Sequence, residues 1–370
     1  MNSIAFNIIP GIIVLGFLIF VHELGHFLMA KLTDVKVITF SLGFGKKLWK
    51  RTWGETEYAL SVFPLGGYVK LLGEGTEDEI RAEEAHRSYS NKPTIVKILI
   101  VFFGPFFNIL CAGLIFFVML SSGAMLPASP SGPPAKVSGV IKDYPAAEVG
   151  ILPGDTITAV NGQKVAYFAE VQQFMAKTLD KPLRIEVKRQ GQLLEFSVTP
   201  KEIETTNAAG AVVRRKVIGI EAEKASGVQA KNIFEAILLT PAYTYGVGED
   251  TVIALWKIIT GKMSRRNVGG PLSIFQAAGI TAKQGTGSFA FFVAYISLSL
   301  AIINLLPIPI LDGGHIIFSL IEVVIRRKIS QKWIENAQKV GLALLIAIMV
   351  FAFYNDFDRF FGLSKFFNAK

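Results

Sequence analysis

The sequence predicts an α-helical polytopic membrane protein with four transmembrane helices, membrane-associated β-hairpin segments and an inserted α+β domain. Three observations carry this. Hydrophobic residues make up 51% of the 370-residue chain and charged residues 18%, a balance too apolar for a surface that faces only water. Four apolar runs, at about 4 to 30, 95 to 123, 289 to 325 and 337 to 354, approach the roughly 20 residues that cross a bilayer. Between the second and third lies a long, more polar stretch with the alternating pattern of strands.

The first run, residues 1 to 30, has the position of a signal peptide. It lacks a basic start and a small-residue cleavage site, and it holds His22, Glu23 and His26, so it reads as a mature span. In residues 31 to 94, TFSLGFGKKLWKRTW and ETEYALSVFPLGGYVKLLG alternate and are punctuated by glycine, which predicts short strands with unpaired edges. Backbone edges at membrane depth need protein or a wet cavity over them. An edge that accepts an extended peptide and a hairpin lying at the lipid interface both satisfy that condition. The charged stretch TEDEIRAEEAHRSYSNK, with His86, reads as a solvated loop. Cys111, the only cysteine, lies in the second span at 95 to 123, so no intramolecular disulfide forms.

After that span, MLPASPSGPPAK marks a linker over 124 to 135 and a domain boundary. Residues 136 to 222 then read as a β-rich domain: VSGVI, AAEVGILPGDTITAVNG, a helical EVQQFMAKTL, and LRIEVKRQGQLLEFSVTP with its RQGQ turn. Residues 223 to 288 carry apolar residues at helical spacing. They fit amphipathic helices on the outer membrane surface, and equally a packing element that joins the domain to the third span. Gly269, Gly270 and Pro271 break the chain before that span. The last span, 337 to 354, leads into a tail over 355 to 370.

Basic residues set the orientation. Lys31, Lys36, Lys46, Lys47, Lys50 and Arg51 follow the first span, and Arg326, Arg327, Lys328 and Lys332 separate the last two. By the positive-inside rule both segments face the cytoplasm, leaving both termini and the stretch from 124 to 288 outside. Topology thereby accounts for most of the net charge of +9, and nothing points to a nucleic-acid partner.

The site chemistry begins at VHELGH. On a helix, His22 and His26 stand one turn apart on one face and can share a metal ion, with Glu23 beside them. Ionisable residues cost about 2.5 to 3.5 kcal/mol each at the centre of a membrane helix, so they mark function by default. A catalytic zinc takes three protein ligands and leaves a fourth position for water. The third donor should come from NLLPIPILDGGH, residues 304 to 315, where Pro307, Pro309, Gly313 and Gly314 interrupt the helix. Asp312 in that stretch is the natural choice. His315 reads as a packing or interfacial histidine.

These residues resemble the site-2 protease family of intramembrane zinc metalloproteases, and within it the RseP-type bacterial regulators of sigma-factor signalling. The likeness runs through HELGH, FSLGFGKKLW, PLGGYVK, GPFFN at 104 to 108, VGGP at 268 to 271 and NLLPIPILDGG. It implies Zn2+ held by His22, His26 and Asp312, Glu23 as general base, and Asn304 with Pro307 and Pro309 holding substrate backbone. The glycine-rich strands, with Gly43, Gly66 and Gly67, are expected to hold an unwound substrate extended. Single-pass transmembrane proteins, such as a trimmed anti-sigma factor or remnant signal peptides, are the implied substrates, and membrane lipid the surrounding partner. The domain at 136 to 222 resembles a circularly permuted PDZ domain, with Gly150, Pro153, Gly154 and Asp155 turning the chain between a helix and a strand. Its peptide groove is expected at Val137, Gly139, Val140 and Ile141. Where better-known members carry two PDZ domains, only one is legible here. A membrane scaffold or a metal-binding protein without proteolytic activity is the competing reading; a PDZ scaffold needs no buried metal, and a metal transporter wants repeated ligand pairs in several polar spans.

Overall fold

The computed structural model describes residues 2–74, 80–128, 134–165, 167–177, 181–206, 212–223, 227–261 and 269–361. Parts of three expected features lie outside these: the linker at 129–133, the acidic run at 76–79 and the tail from 362 onward, together with Val268 of the VGGP motif. The chain divides into two compact units, Gly123–Asn232 and the remainder.

In chain order, α1 (Asn2–Leu32), β1 (Val37–Trp53), β2 (Thr56–Leu71) and α2 (Thr94–Ser121) open the larger unit. The smaller unit holds β3 (Leu126–Pro127), β4 (Val137–Val140), α3 (Pro145–Glu148), β5 (Thr156–Val160), β6 (Gln163–Lys164), α4 (Phe168–Lys177), β7 (Leu183–Arg189), β8 (Gln192–Val198), β9 (Lys201–Thr206), β10 (Val212–Val217), β11 (Ile220–Ala222) and β12 (Gly227–Val228). The larger unit resumes with α5 (Ile233–Ile259), α6 (Pro271–Gln284), α7 (Thr286–Asn304), α8 (Asp312–Ile325) and α9 (Gln331–Phe361).

Among the described residues, four helices are long and apolar enough to cross a membrane, over Ile8–Leu32, Thr94–Ser121, Thr286–Asn304 and Lys332–Asp358. The run expected as one span at 289 to 325 is two helices, α7 and α8, separated by residues 305–311. Pro307 and Pro309 explain the break, since neither can donate a backbone hydrogen bond.

Along α1, Gly11, Val14, Leu18, His22, Gly25 and Ala30 are buried at steps of three to five, the period of one helical face. That face packs on α2 and α6. Lipid is as apolar as leucine, so helices in a membrane associate through close packing, which small residues allow. A β-carbon at Gly25 would stand 2.1 Å from the Phe103 carbonyl oxygen of α2, and one at Gly11 2.2 Å from the Phe275 ring of α6. The start of α6 is tied to α9: Asp356, fully buried, accepts hydrogen bonds from Gly270 N, Leu272 N and Ser273 N at 2.9, 3.0 and 3.2 Å, and from the Ser273 hydroxyl. On α5, Ala236, Tyr243, Val247 and Thr251 form the buried stripe; the Tyr243 ring meets Phe116 of α2 edge-on at 5.0 Å.

The strands after α1 are longer than expected and fold back on themselves. Residues 39 to 42 pair with 70 down to 67 on one side and with 57 up to 60 on the other. Residues 49 to 53 pair in turn with 60 down to 56. The sheet is therefore four lanes wide locally, and the segments near 67–71 and 49–53 form its outer lanes. At Gly43 (φ +89) the chain leaves the first lane in a conformation that L side chains rarely adopt, and a β-carbon there would stand 2.7 Å from the Phe63 carbonyl oxygen.

The smaller unit has its own core of Val137, Ile157, Ile185, Val187 and Ile218 around a sheet ordered β6-β5-β7-β8. The RQGQ turn is a two-residue hairpin with both central residues at positive φ, Gln190 at 49° and Gly191 at 88°, the geometry that matches strand twist. Asp155, on the turn between α3 and β5, accepts from Leu152 N at 2.9 Å and from Arg189 Nε at 2.7 Å. Burial pushes its carboxyl up, but the Arg189 hydrogen bond outweighs this and holds it below the usual range.

Val137, Gly139, Val140 and Ile141, where the peptide groove is expected, lie on or next to β4, which is hydrogen-bonded along one edge to β11, with Val140 opposite Ile220 and Gly139 opposite Glu221. Val137 N donates to Asp155 O and Ile141 N to Gly219 O, both at 2.8 Å. An incoming strand therefore finds neither of these two N–H groups free.

Candidate metal centre

Each side chain of the centre is placed by a local feature of its helix. His22 and His26 project from the buried face of α1, which meets α2 at Gly104. A β-carbon at Gly104 would stand 2.3 Å from His26 Nε2 and 3.0 Å from His22 Cε1, so only glycine lets α2 lie this close to both rings. Asp312 is the first residue of α8, where unpaired N–H groups at the helix start favour a carboxylate. Gly313 and Gly314 bring that helix start onto the preceding loop: β-carbons there would meet the Leu305, Leu306 and Ile308 carbonyl oxygens at 2.2 to 2.3 Å.

Ligand-type atoms of His22, His26 and Asp312 converge within 4.8 Å of one another. The two Nε2 atoms are 3.2 Å apart, His22 Nε2 lies 3.1 Å from Asp312 Oδ2 and His26 Nε2 lies 3.6 Å from Asp312 Oδ1. Two Zn–N bonds of about 2.0 to 2.1 Å at a tetrahedral angle put their nitrogens about 3.3 Å apart. Asp312 Oδ2 is buried and receives no hydrogen bond from the described residues, despite its closeness to His22. Lone pairs facing one another without protons between them fit a shared cation, and the donor set of two imidazoles and a carboxylate fits zinc.

His22, Glu23, His26 and Asp312 all line a cavity of about 620 Å3. Its wall also includes Gly67 and Tyr68 of β2, and a β-carbon at Gly67 would stand 2.9 Å from Glu23 Cγ. The outer lane of the sheet thus runs beside the glutamate. Gly43 and Gly66 do not line the cavity; Gly66 makes room for the Phe44 ring, which a β-carbon would approach to 1.9 Å. Nor do Asn304, Pro307 and Pro309, which end α7 and shape the break, whereas Ile310 does. His315 lines the cavity and its ring packs on Phe318 at 6.5 Å, but it stays outside the three-residue cluster. His86 lies elsewhere, 3.9 Å from Asp34.

Sequence reasoning gave no role to Asn108, which is fully buried on α2 with its Nδ2 3.3 Å from His22 Nδ1. The signal that singles it out is an amide inside the apolar run ILIVFFGPFFNILCAGLIFFVML.

The profile of peptidase family M50 matches residues 10–348. The chain belongs to peptidase family M50. A Campylobacter jejuni protein whose name proposes a zinc metalloprotease is 37% identical over 357 residues, covering 95% of this chain and 93% of its own. Helicobacter pylori and Clostridium perfringens proteins with names of the same kind are 36% and 35% identical, covering 95% and 94% of this chain and 99% and 98% of theirs. Among solved structures, the PDZ domain of an SdrC-like protein from Listeria innocua is 27% identical over 24% of this chain and 93% of its own, with a TM-score of 0.20. As a member of M50 with a His–His–Asp cluster, the protein is a bacterial multi-pass membrane zinc metalloendopeptidase, and the two histidines of that cluster lie within the first membrane-spanning helix.

Proposed function

We propose that His22, His26 and Asp312 hold one zinc ion, that Glu23 is the general base, and that the enzyme cleaves transmembrane segments of single-pass proteins, a trimmed anti-sigma factor or a remnant signal peptide among them. The convergence of three ligand atoms beside Glu23, inside a cavity walled by a sheet edge, carries this reading. Zinc, when bound, supplies Lewis acidity to the peptide carbonyl and to the attacking water. Glu23 accepts the proton of that water and returns it to the leaving amine. Helical peptide bonds are closed by internal hydrogen bonds, so a substrate span must unwind before attack. The outer lane at 67–71 is suited to hold the unwound strand by backbone pairing beside the glutamate.

The basic residues after α1 and between α8 and α9 favour an orientation in the inner membrane with both termini and the inserted domain outside. That domain's resemblance to a PDZ fold over 136–222 supports a role in screening substrates or engaging a trimmed carboxyl terminus. The candidate groove for such a terminus is along β4, at Val137, Gly139, Val140 and Ile141.

The test is metal analysis together with cleavage of a reconstituted single-span substrate. Wild type should carry about one zinc per chain, and His22→Ala and Asp312→Ala should lose it. Glu23→Gln keeps the side chain's shape without its basicity; it should keep zinc and lose at least about a hundredfold in rate. Full zinc retention in both ligand variants, or near wild-type cleavage by Glu23→Gln, overturns the assignment.

A further inference from the structure

The polar groups behind the two histidines all come from α2. His26 Nδ1 lies 2.8 Å from the Ile100 carbonyl oxygen, an acceptor that fixes the ring proton on Nδ1 and leaves Nε2 free to face His22 and Asp312. Two turns along the same face, Asn108 stands behind His22, with Gly104 between them. The positions 100, 104 and 108 follow the i, i+4, i+8 stripe of one helix.

Asn108 is fully buried, and as placed its Nδ2 faces His22 Nδ1 at 3.3 Å while its Oδ1 has no hydrogen-bond donor among the described residues. A buried amide oxygen without a donor costs about 1 to 3 kcal/mol. The two ends of an amide have nearly the same shape and are told apart by their hydrogen bonds. His22 decides the matter, on the reading that it is a metal ligand. Its Nε2 points to His26 and Asp312, so a neutral ring that ligates through Nε2 carries its proton on Nδ1. An NH2 group facing that N–H would set donor against donor.

We infer that Asn108 presents its Oδ1 to His22 and accepts the hydrogen bond from Nδ1–H, which makes it a positioning residue that fixes the tautomer and ring plane of this ligand. One half-turn of the amide satisfies both the ring proton and the orphaned oxygen. The same residue is braced from α7, where the Ser297 hydroxyl donates to the Asn108 main-chain oxygen at 2.8 Å. The stripe on α2 thus sets both imidazoles, one through a backbone carbonyl and one through a side-chain amide. Such outer partners raise ligand basicity, and their loss typically costs 10- to 100-fold in metal affinity.

The test is zinc affinity of the full chain in detergent micelles, read by competition with a chromogenic chelator, for wild type, Asn108→Leu and Asn108→Asp. Leucine keeps the volume and offers no acceptor, so zinc affinity should fall about 10- to 100-fold. Aspartate offers only acceptors and should hold affinity within a few-fold of wild type. Cobalt-substituted protein should keep the wild-type absorption bands in the aspartate variant and shift them in the leucine variant. Wild-type affinity in Asn108→Leu, or a loss in Asn108→Asp as large as in Asn108→Leu, overturns the proposal. If Asn108→Leu does not fold, Asn108→Asp decides alone: affinity within a few-fold of wild type supports the proposal and a loss of about tenfold or more overturns it. His22→Ala and Asp312→Ala, measured in parallel, report separately on the ligand assignment itself.

Discussion

Gly104 of α2 lies so close to His26 of α1 that a β-carbon on it would stand 2.3 Å from the ring's Nε2. No side-chain rotation of the new methyl relieves such a contact, because a β-carbon is fixed by the backbone. Either the imidazole leaves its place or the two helices part. Gly104→Ala should therefore lower zinc affinity about tenfold or more, the range seen when a ligand's surroundings are disturbed. Chelator competition on protein whose circular dichroism is unchanged checks this; unchanged affinity would show that the helices yield freely at that point.

The contact explains which parts of the centre could be read from sequence. His22 and His26 are four residues apart on one helix, so their convergence follows from helical geometry. Asp312 was marked by being an acid within a proline-broken apolar run. Gly104, Ile100 and Asn108 reach the histidines only through packing of α2 on α1, across 74 to 86 residues of chain, and no local periodicity encodes that. The sheet shows the same division. Alternation marks 38–71 as strands, but the double pairing of residues 39–42 depends on where the hairpin folds back. In the inserted domain, the VSGVI strand was legible while its partner, β11, lies some 80 residues later, a pairing that no local pattern marks.

Asp356 accepts four hydrogen bonds at the start of α6 while remaining fully buried on α9. It caps a helix of which it is not part. Asp356→Ala should destabilise the protein by about 2 kcal/mol, at the upper end for loss of a cap, and Asp356→Asn, which keeps one acceptor oxygen, by less. Thermal unfolding in detergent gives the order. Equal melting temperatures for wild type and Asp356→Ala would mean that the α6–α9 tie carries no weight.

A pH-dependent tie joins the β1–β2 turn to the end of α1. Arg87 Nη1 and Nη2 each donate to Glu55 at 2.7 Å, Arg87 Nε donates to Asp34 at 2.9 Å, and Lys31 Nζ donates to Glu55 at 2.6 Å. The Arg87 hydrogen bonds hold the Glu55 carboxyl down to about 2, against the opposing effect of burial and with help from Lys31. A carboxyl depressed on folding contributes its stability in full above its unfolded pKa of about 4.3 and loses it as pH falls through about 2. Arg87→Gln should therefore unfold at a lower temperature than wild type at pH 7, by an amount equivalent to about 1 kcal/mol for a partly exposed pair. The difference should shrink between pH 4 and pH 2. A gap that stays constant over that range would assign the stability to another partner of Arg87.

Gly67 sets the glutamate against the sheet. A β-carbon there would stand 2.9 Å from both Glu23 Cγ and the Ser41 carbonyl oxygen, so Gly67→Ala must push the Glu23 side chain or the outer lane of the sheet outward. The three atoms nearest the added methyl belong to Glu23, Ser41 and Ile19, none of them to His22, His26 or Asp312. Zinc content should then be unchanged while peptide hydrolysis falls. Displacement of about 1 Å at a reacting group costs on the order of a hundredfold in rate, and the loss should appear in kcat if Glu23 moves and in KM if the lane that holds substrate moves. Steady-state cleavage of a fluorogenic single-span peptide, with zinc measured on the same samples, separates the two. Cleavage at the wild-type rate would show that neither the base nor the lane depends on the missing side chain, and zinc loss would place Gly67 with Gly104 as a guard of the metal instead.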